Sequence, residues 1–537
     1  MKITLIAPSP AKLHGSGVGI RILSACLKRE GCDVRIIFLP RDTAGDMYED
    51  KTLSEIAELV SGSELIGISL MTDDLDNVVR ITQMLKENSS IPIVWGGIHP
   101  TIQPEECLDY ADMVCIGEGE EALVELVRKM KDGQDFFNIQ GMWFKDKGKI
   151  VKNELRPLIQ DLDSIPFQDL DYENHYILSD GCIRKINEDL QQIALSTYYF
   201  TLTSRGCPHR CTYCWNHTFS RMYPNQPFIR KRSADNVIKE LMMVQSRFPF
   251  IETIQVADDA FLIRTEREIM DFAEKYKENV VLPLWVTGAH PLHVTRKKLS
   301  ILVDAGLVDI RMGIQTGSER TKRLYKRHHS NQQVEEAVRT INEFKDKIKL
   351  PRYDLILDNP WETEDDLIET LMLLAKLPTP YALSIFPLTL YPATDLYARA
   401  KRDGMKTDDP KEVWRIRHFS FKNTYLNRLF LLLDKYARRG DKISTKMMLL
   451  LTNRKLRQLR LSWLLYIILD LRPITIQRLK FFLREGLKNI RKGDMSPYIL
   501  YFRFRSGSPD SFNPQILPES WAAIMKDSAR SRPMTST

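Results

Sequence analysis

The sequence predicts an α/β chain in three parts: a doubly wound parallel sheet, a (β/α)6 partial barrel, and a basic helical region. Three observations lead there. Apolar, β-rich runs alternate with amphipathic helix-length segments over residues 1–135, and the rhythm restarts at residue 196 with six more units. After about residue 405 it gives way to long stretches rich in Arg, Lys and Leu. Continuous Val/Ile/Leu runs separated by helices belong to parallel sheets covered on both faces.

The first five runs are KITLIAP (2–8), DVRIIFL (33–39), ELIGISL (64–70), IPIVWGG (91–97) and DMVCIGE (112–118). Helical segments such as GIRILSACLKREG and DLDNVVRITQMLKEN separate them. Five units of this kind form a Rossmann-like, flavodoxin-type domain, assigned to residues 1–149, with ligands at the C-terminal strand ends. Residues 150–195 are broken by prolines and show no sustained period, so they read as a connector.

The barrel, residues 196–405, draws its strands from YYFTLTS (198–204), ETIQVAD (252–258), LPLWVTG (282–288), DIRMGIQ (309–315), LPRYDLIL (350–357) and ALSIFPLTL (382–390). Ser233 and Asn331 are suitable N-caps for two intervening helices. Chemistry in such barrels sits at the C-terminal strand ends. Residues 406–505 read as a basic helical domain, and 506–537 as a disordered Ser/Pro/Arg tail.

Composition bounds the class. Hydrophobic content of 43% and charged content of 27% in 537 residues are ordinary for a globular chain. MKITLIAPSPAK reads as a buried first strand, not a signal peptide. The longest apolar block, LSWLLYIILDL (461–471), is interrupted by Asp470 and falls short of the ~18–20 residues a spanning helix needs. The expectation is a cytoplasmic protein in a reducing compartment, where clustered thiols serve metals rather than disulfides. Charge is uneven: residues 411–505 carry 23 Lys/Arg against 6 Asp/Glu, and the remainder 54 against 64.

Three of the eight cysteines fall in RGCPHRCTYCWN, at Cys207, Cys211 and Cys214, in the loop after the first barrel strand. Three thiolates at this spacing clamp an iron–sulfur cube by three irons and leave the fourth open to a chelating ligand. The alternative is a zinc loop with His209 or His217 as fourth ligand.

CPHRCTYC resembles the CxxxCxφC motif of the radical S-adenosylmethionine (SAM) superfamily, with Tyr213 as the aromatic φ. The resemblance implies a [4Fe-4S] cluster on Cys207, Cys211 and Cys214, and a SAM that is split to a 5′-deoxyadenosyl radical. QVADDAF (255–261) resembles the family's DDxF segment and implies that Asp258 and Asp259 meet the SAM amine; alternatively the two acids cap the following helix. GIQTGSER (313–320) is similar to GIESGS and implies SAM contacts for Gln315 and Ser318, with Gln315 where Glu is common. DNPWET (358–363) departs from the usual GLPGET. LYPATDLY (390–397) resembles the barrel-closing FPGT segment.

Gly15, Gly17 and Gly19 alone would fit a dinucleotide fold, but only Asp42 is available as the ribose acid. Paired with the barrel, the first domain more closely resembles the cobalamin-binding domain of B12-dependent radical SAM enzymes, over about residues 1–400 in all. GVGIRILSACLKREGCDV, ISL around Ser69, WGGIHPT with Gly96 and Gly97, and IGEGEEAL carry the likeness. Small residues there let a corrin ring approach the backbone. His14 and Gly17 match the Asp-x-His-x-x-Gly pattern of mutase-type cobalamin domains, while Lys12 replaces the aspartate that would orient the imidazole.

The resemblance implies a methyltransferase acting on an unactivated carbon of a lipid or secondary metabolite. A radical cyclase or rearrangement enzyme is the alternative, and a zinc-stabilised basic binding protein the non-catalytic one. A flavodoxin- or ferredoxin-type donor would supply electrons. The basic region 411–505 is open to three readings: a solvated helical cap on the barrel, a peripheral contact with an anionic membrane, or, least favoured, nucleic-acid binding.

Overall fold

The computed structural model describes residues 1–9, 17–41, 46–407 and 422–454. All of them fall within one compact unit, Met1–Leu465. Each of the five N-terminal apolar runs forms a strand: β1 (Lys2–Ser9), β2 (Asp33–Pro40), β3 (Leu65–Ser69), β4 (Ile93–Gly96) and β5 (Met113–Cys115). They pair in parallel in the order β5-β4-β3-β1-β2, so the chain reverses direction between β1 and β3. A crevice opens at such a switch point beyond the carboxyl ends of the strands. Ile6, Ile37, Ile66, Ile68 and Trp95 fill the core beneath it.

The sheet is larger than the sequence reading allows. β6 (Met142–Asp146) and β7 (Lys149–Lys152) add an antiparallel hairpin beyond β5. On the other edge, β8 (His175–Ser179) pairs in parallel with β2, and β9 (Cys182–Lys185) returns antiparallel. Residues 150–195 are therefore not an irregular connector, because these strands cover the β2 edge. The hairpin turns on Asp180-Gly181, both at positive φ. That dipeptide is a strong short-range hairpin signal, here flanked by strands too short to show a period.

Six further strands form the second sheet. β10 (Tyr198–Thr201) is followed by two two-residue strands, β11 (Ser204–Arg205) and β12 (Arg230–Lys231), that pair with each other. Then come β13 (Thr253–Val256), β14 (Leu284–Ala289), β15 (Leu307–Gln315), β16 (Arg352–Leu357) and β17 (Ala382–Pro387). β10, β13, β14, β15, β16 and β17 pair in parallel in chain order, and among the described residues β10 and β17 have no partner on their outer sides, which makes the barrel partial. Along β15 Ile310, Met312 and Ile314 are buried. The alternate residues Arg311 and Gln315 take the opposite face, as the strand period requires.

Ser233 caps its helix by accepting from the Asn236 N–H. For the next predicted cap the structure chooses Ser330, not Asn331: Ser330 and Gln333 form a reciprocal capping box. Asn331 instead donates to the Gly317 carbonyl and accepts from Lys322. The helix Tyr425–Ala437 packs on the barrel, where Asp434 accepts from the Leu383 N–H. Most of the basic region and the whole tail 506–537 lie outside the described residues. Among the described residues no helix is long and apolar enough to cross a membrane.

Candidate functional site

The cysteine loop is fastened at both ends. At its start, Asp258, buried at the end of β13, takes up both backbone and side chain of the turn after β10. Its Oδ1 accepts from the Thr203 and Ser204 N–H groups at 2.6 and 3.1 Å. Its Oδ2 accepts from both hydroxyls at 2.6 Å and from Arg264 at 3.0 Å. Further along, Thr212 donates to the carbonyls of Tyr325 (3.1 Å) and Leu324 (2.8 Å) and accepts from the Leu396 N–H. Gly206 sits at φ 91°, where a side chain would overlap the Phe228 carbonyl. Cys214 is the N-cap of the helix Trp215–Met222.

Cys207, Cys211 and Cys214 are all free thiols, Cys211 the most deeply buried. Burial, helped by Asp259 and the neighbouring cysteines, pushes Cys207 up to about 12 and Cys214 to about 11. Thiols crowded this way ionise together only around a cation, so the donor set fits a thiolate-bound metal centre. Of the two histidines the zinc alternative draws on, His217 places its Nε2 3.4 Å from Asp395, and His209 stacks on His290 at 3.8 Å between centroids.

The predicted SAM residues divide. Asp259 opens to the mouth; burial raises its carboxyl, against hydrogen bonds from Asn216 and the Gly206 backbone. Its charge reaches Cys207 and Cys214. Gln315 ends β15 at φ 70° with its amide folded back toward Gly313. Tyr213 sets its ring edge-on to Tyr325, 5.0 Å between centroids. Asp258 and Ser318 are corrections. Five donors saturate the Asp258 carboxylate, which leaves it no acceptor for an ammonium. Ser318 is fully buried, donates to Asp366 at 2.5 Å and caps the helix Glu319–Tyr325.

Two residues near the thiols escaped the sequence reading. Arg327 is buried, with one guanidinium nitrogen 3.8 Å from Cys211 Sγ and the other donating to the Gly313 carbonyl. Asn216 holds Asp259. Asn216 closes the cysteine stretch RGCPHRCTYCWN itself, whereas Arg327 lies in no recognisable motif and reaches the cysteines through the turn at Lys326, φ 51°.

A second cavity, of about 440 Å³, lies at the switch point of the first sheet. Gly67, Ser69, Gly96 and Gly97 form its floor, and Trp215 and Phe219, from the helix that starts at Cys214, close it from the barrel side. The floor is glycine where backbone must be approached. Gly97 takes φ 106°, and a Cβ there would stand 2.7 Å from the Leu70 carbonyl oxygen. Gly96 is less constrained, because its Cβ would make only ordinary contact with Cys115 at 3.7 Å. Gly17 does not line the cavity. It caps the helix Val18–Arg29 at φ 95°, tight against Phe38. His14 lies outside the described residues. A flat, glycine-floored crevice of this kind fits a macrocycle lying on the strand ends.

Charged groups join the two halves. Arg205 of β11 meets Glu118 at 2.8 Å and Glu120 at 2.5 Å, and Arg230 of β12 meets Glu118 at 2.7 Å. Burial raises Glu118, but the two arginines outweigh it and hold the carboxyl below its ordinary value.

Comparison with known proteins agrees with this geometry. The B12 binding domain family matches residues 9–127, and the radical SAM superfamily matches residues 201–374. An uncharacterized methyltransferase of Pyrococcus horikoshii is 27% identical over 78% of this chain and 89% of its own. The anaerobic magnesium-protoporphyrin IX monomethyl ester cyclase of Rubrivivax gelatinosus is 24% identical over 72% of this chain and 65% of its own. Among solved structures, the cobalamin-dependent SAM radical enzyme OxsB, with aqua-cobalamin and SAM bound, superposes with a TM-score of 0.61 at 17% identity, over 91% of this chain and 75% of that one. The chain, with its B12-binding domain ahead of a radical SAM core, belongs to the cobalamin-dependent radical SAM enzymes.

Proposed function

We propose that this enzyme is a methyltransferase that acts on an unactivated carbon of a small molecule or lipid. On this reading Cys207, Cys211 and Cys214 hold a [4Fe-4S] cluster, Asp259 and Gln315 take SAM, and Ser69, Gly96 and Gly97 seat cobalamin. When bound, the cluster supplies the electron that splits SAM to a 5′-deoxyadenosyl radical, and cobalamin supplies a methyl carrier. The protein's own residues do the positioning. Asp259 offers a carboxylate to the SAM ammonium, steadied by Asn216. Arg327 places a fixed positive charge beside Cys211. Trp215 and Phe219 exclude water between the two sites.

One observation carries the proposal. The helix Trp215–Met222 begins at the third cysteine, and its next turn walls the glycine-floored cavity. A group held by the cysteines and one seated in the cavity would therefore lie one short helix apart.

The similarity to anaerobic ester cyclases favours a second reading, radical ring closure without methyl transfer. Anaerobic reconstitution with iron, sulfide and hydroxocobalamin, then reductant and SAM, separates the two by mass spectrometry. Methyl transfer yields S-adenosylhomocysteine together with 5′-deoxyadenosine. Cyclisation yields 5′-deoxyadenosine alone, and the absence of both products with iron and cobalamin bound would defeat both readings. The proposed electron donor is a small flavodoxin- or ferredoxin-type protein. For the basic region 411–505 the favoured reading is a helical cap on the barrel, which the packing of Tyr425–Ala437 supports; peripheral contact with an anionic membrane is the alternative, and salt would weaken it.

A further inference from the structure

Four imidazoles gather beside the cysteine loop from three separate segments. His209 lies between Cys207 and Cys211. His290 and His293 stand in the turn after β14, and His329 follows Arg327. His209 stacks on His290 at 3.8 Å and lies 5.3 Å from His293, while His329 approaches His290 edge-on at 5.1 Å. The Nε2 atoms of His209, His290 and His293, and both ring nitrogens of His329, are buried and have no hydrogen-bond partner.

That is unusual, because buried polar atoms are nearly always paired, and each exception needs a physical explanation. One ligand atom from each of His209, His290 and His293 lies within 4.8 Å of the other two. The nitrogens are sealed from solvent, so an oxyanion several ångströms across has no place among them. A bare cation, reached at about 2.0–2.1 Å from each nitrogen, needs far less room.

We propose that His209, His290 and His293 bind a divalent first-row transition ion, with His329 as the nearest further donor. Neutral imidazoles suit zinc, iron, cobalt or nickel, and favour none of the hard cations. Coordination has two local costs. The stacked His209–His290 pair must splay to bring its nitrogens together. His290 must also give up a weak contact, its Nδ1 accepting from the Leu292 N–H at 3.3 Å. Arg327 opposes a cation here, and the thiolates it faces offset that charge. The ion would staple the cysteine loop to the end of β14, so that the loop's position no longer depends on hydrogen bonds alone.

The test uses the full-length, cluster-loaded chain, cleared of loose metal on a chelating resin and then given one equivalent of zinc. The expected result is one zinc per chain above the cluster iron, with a zinc-edge X-ray absorption spectrum that shows nitrogen or oxygen neighbours and no sulfur. His290→Ala with His293→Ala should abolish zinc uptake and leave the iron content unchanged. Loss of the fold in that variant would leave the wild-type spectrum and the milder His293→Gln to decide. A sulfur shell, uptake unaffected by the substitutions, or no stoichiometric zinc at all would overturn the site. Iron content and SAM cleavage, measured on the same samples, report separately on the proposed methyl-transfer chemistry.

Discussion

Adjacent aspartates make the sharpest contrast at the residue scale. Asp258 and Asp259 are indistinguishable in the sequence, yet one is a girder and the other a ligand candidate. Removing the Asp258 carboxylate leaves five donors unsatisfied, Arg264 among them. Asp258→Ala should destabilise the chain by about 3–5 kcal/mol, the range for breaking a buried charged pair, read as a fall in unfolding temperature. Asp259→Asn should keep the fold and the iron content and weaken SAM binding at least tenfold in equilibrium dialysis. Equal losses of fold in both variants would contradict the division. Gly97 poses a related case. Gly97→Val combines a left-handed backbone with an overlap at Leu70, so cobalamin absorbance should vanish while iron loading persists, whereas Gly96→Ala should be nearly silent. Glu362 adds a pH signature. Burial raises its carboxyl to about 7, against a hydrogen bond from Thr316. The folded state therefore holds this proton more tightly than the unfolded chain. The resulting stabilisation is fully present below about 4.5, the ordinary glutamate value, and is lost as pH rises through 7. Glu362→Gln should flatten the wild-type decline in unfolding temperature across that window.

Among the elements, the short helix Trp215–Met222 matters most, because its N-cap is a cysteine and its first turns wall the other cavity. Trp215→Ala should leave the thiols in place and open the cavity to water, so that SAM cleavage continues while S-adenosylhomocysteine falls by roughly tenfold or more. An unchanged product ratio would separate the two sites. The elements also differ in how far they can be read from the sequence. The buried apolar runs that became β1–β5 and the barrel strands were legible, because burial on both faces imposes an unmistakable apolar run. β8 and β9 were not, since both leave most of their residues only partly buried or exposed and so impose no continuous apolar run. Only the Asp180-Gly181 turn marked them. Ser330 displaced Asn331 as a cap for a similar reason: the Gln333 three residues on completes a box with Ser330, and Asn331 is drawn to Gly317 and Lys322.

For the whole molecule, the two sheets are tied by Arg205 and Arg230 on Glu118 and Glu120. These ion pairs are largely withdrawn from solvent, so removal of one partner strands the other. Arg205→Leu should split thermal unfolding into two transitions, or lower cobalamin affinity and SAM cleavage together. A single unchanged transition would argue that the apolar contacts of Trp215 and Phe219 suffice.

By itself the sequence determined the two α/β parts, their order, the cysteine triad and the glycines that floor the crevice of the first sheet. Each of these is written locally, in a run, a spacing or a dipeptide. Tertiary structure alone decided which of two neighbouring aspartates opens to the barrel mouth, that Ser318 is a buried cap and Gly17 a packing residue, and that Arg327 and three distant histidines converge on the cysteine loop. Those facts depend on which way a side chain turns once distant strands are paired, and no local pattern in the chain encodes that direction.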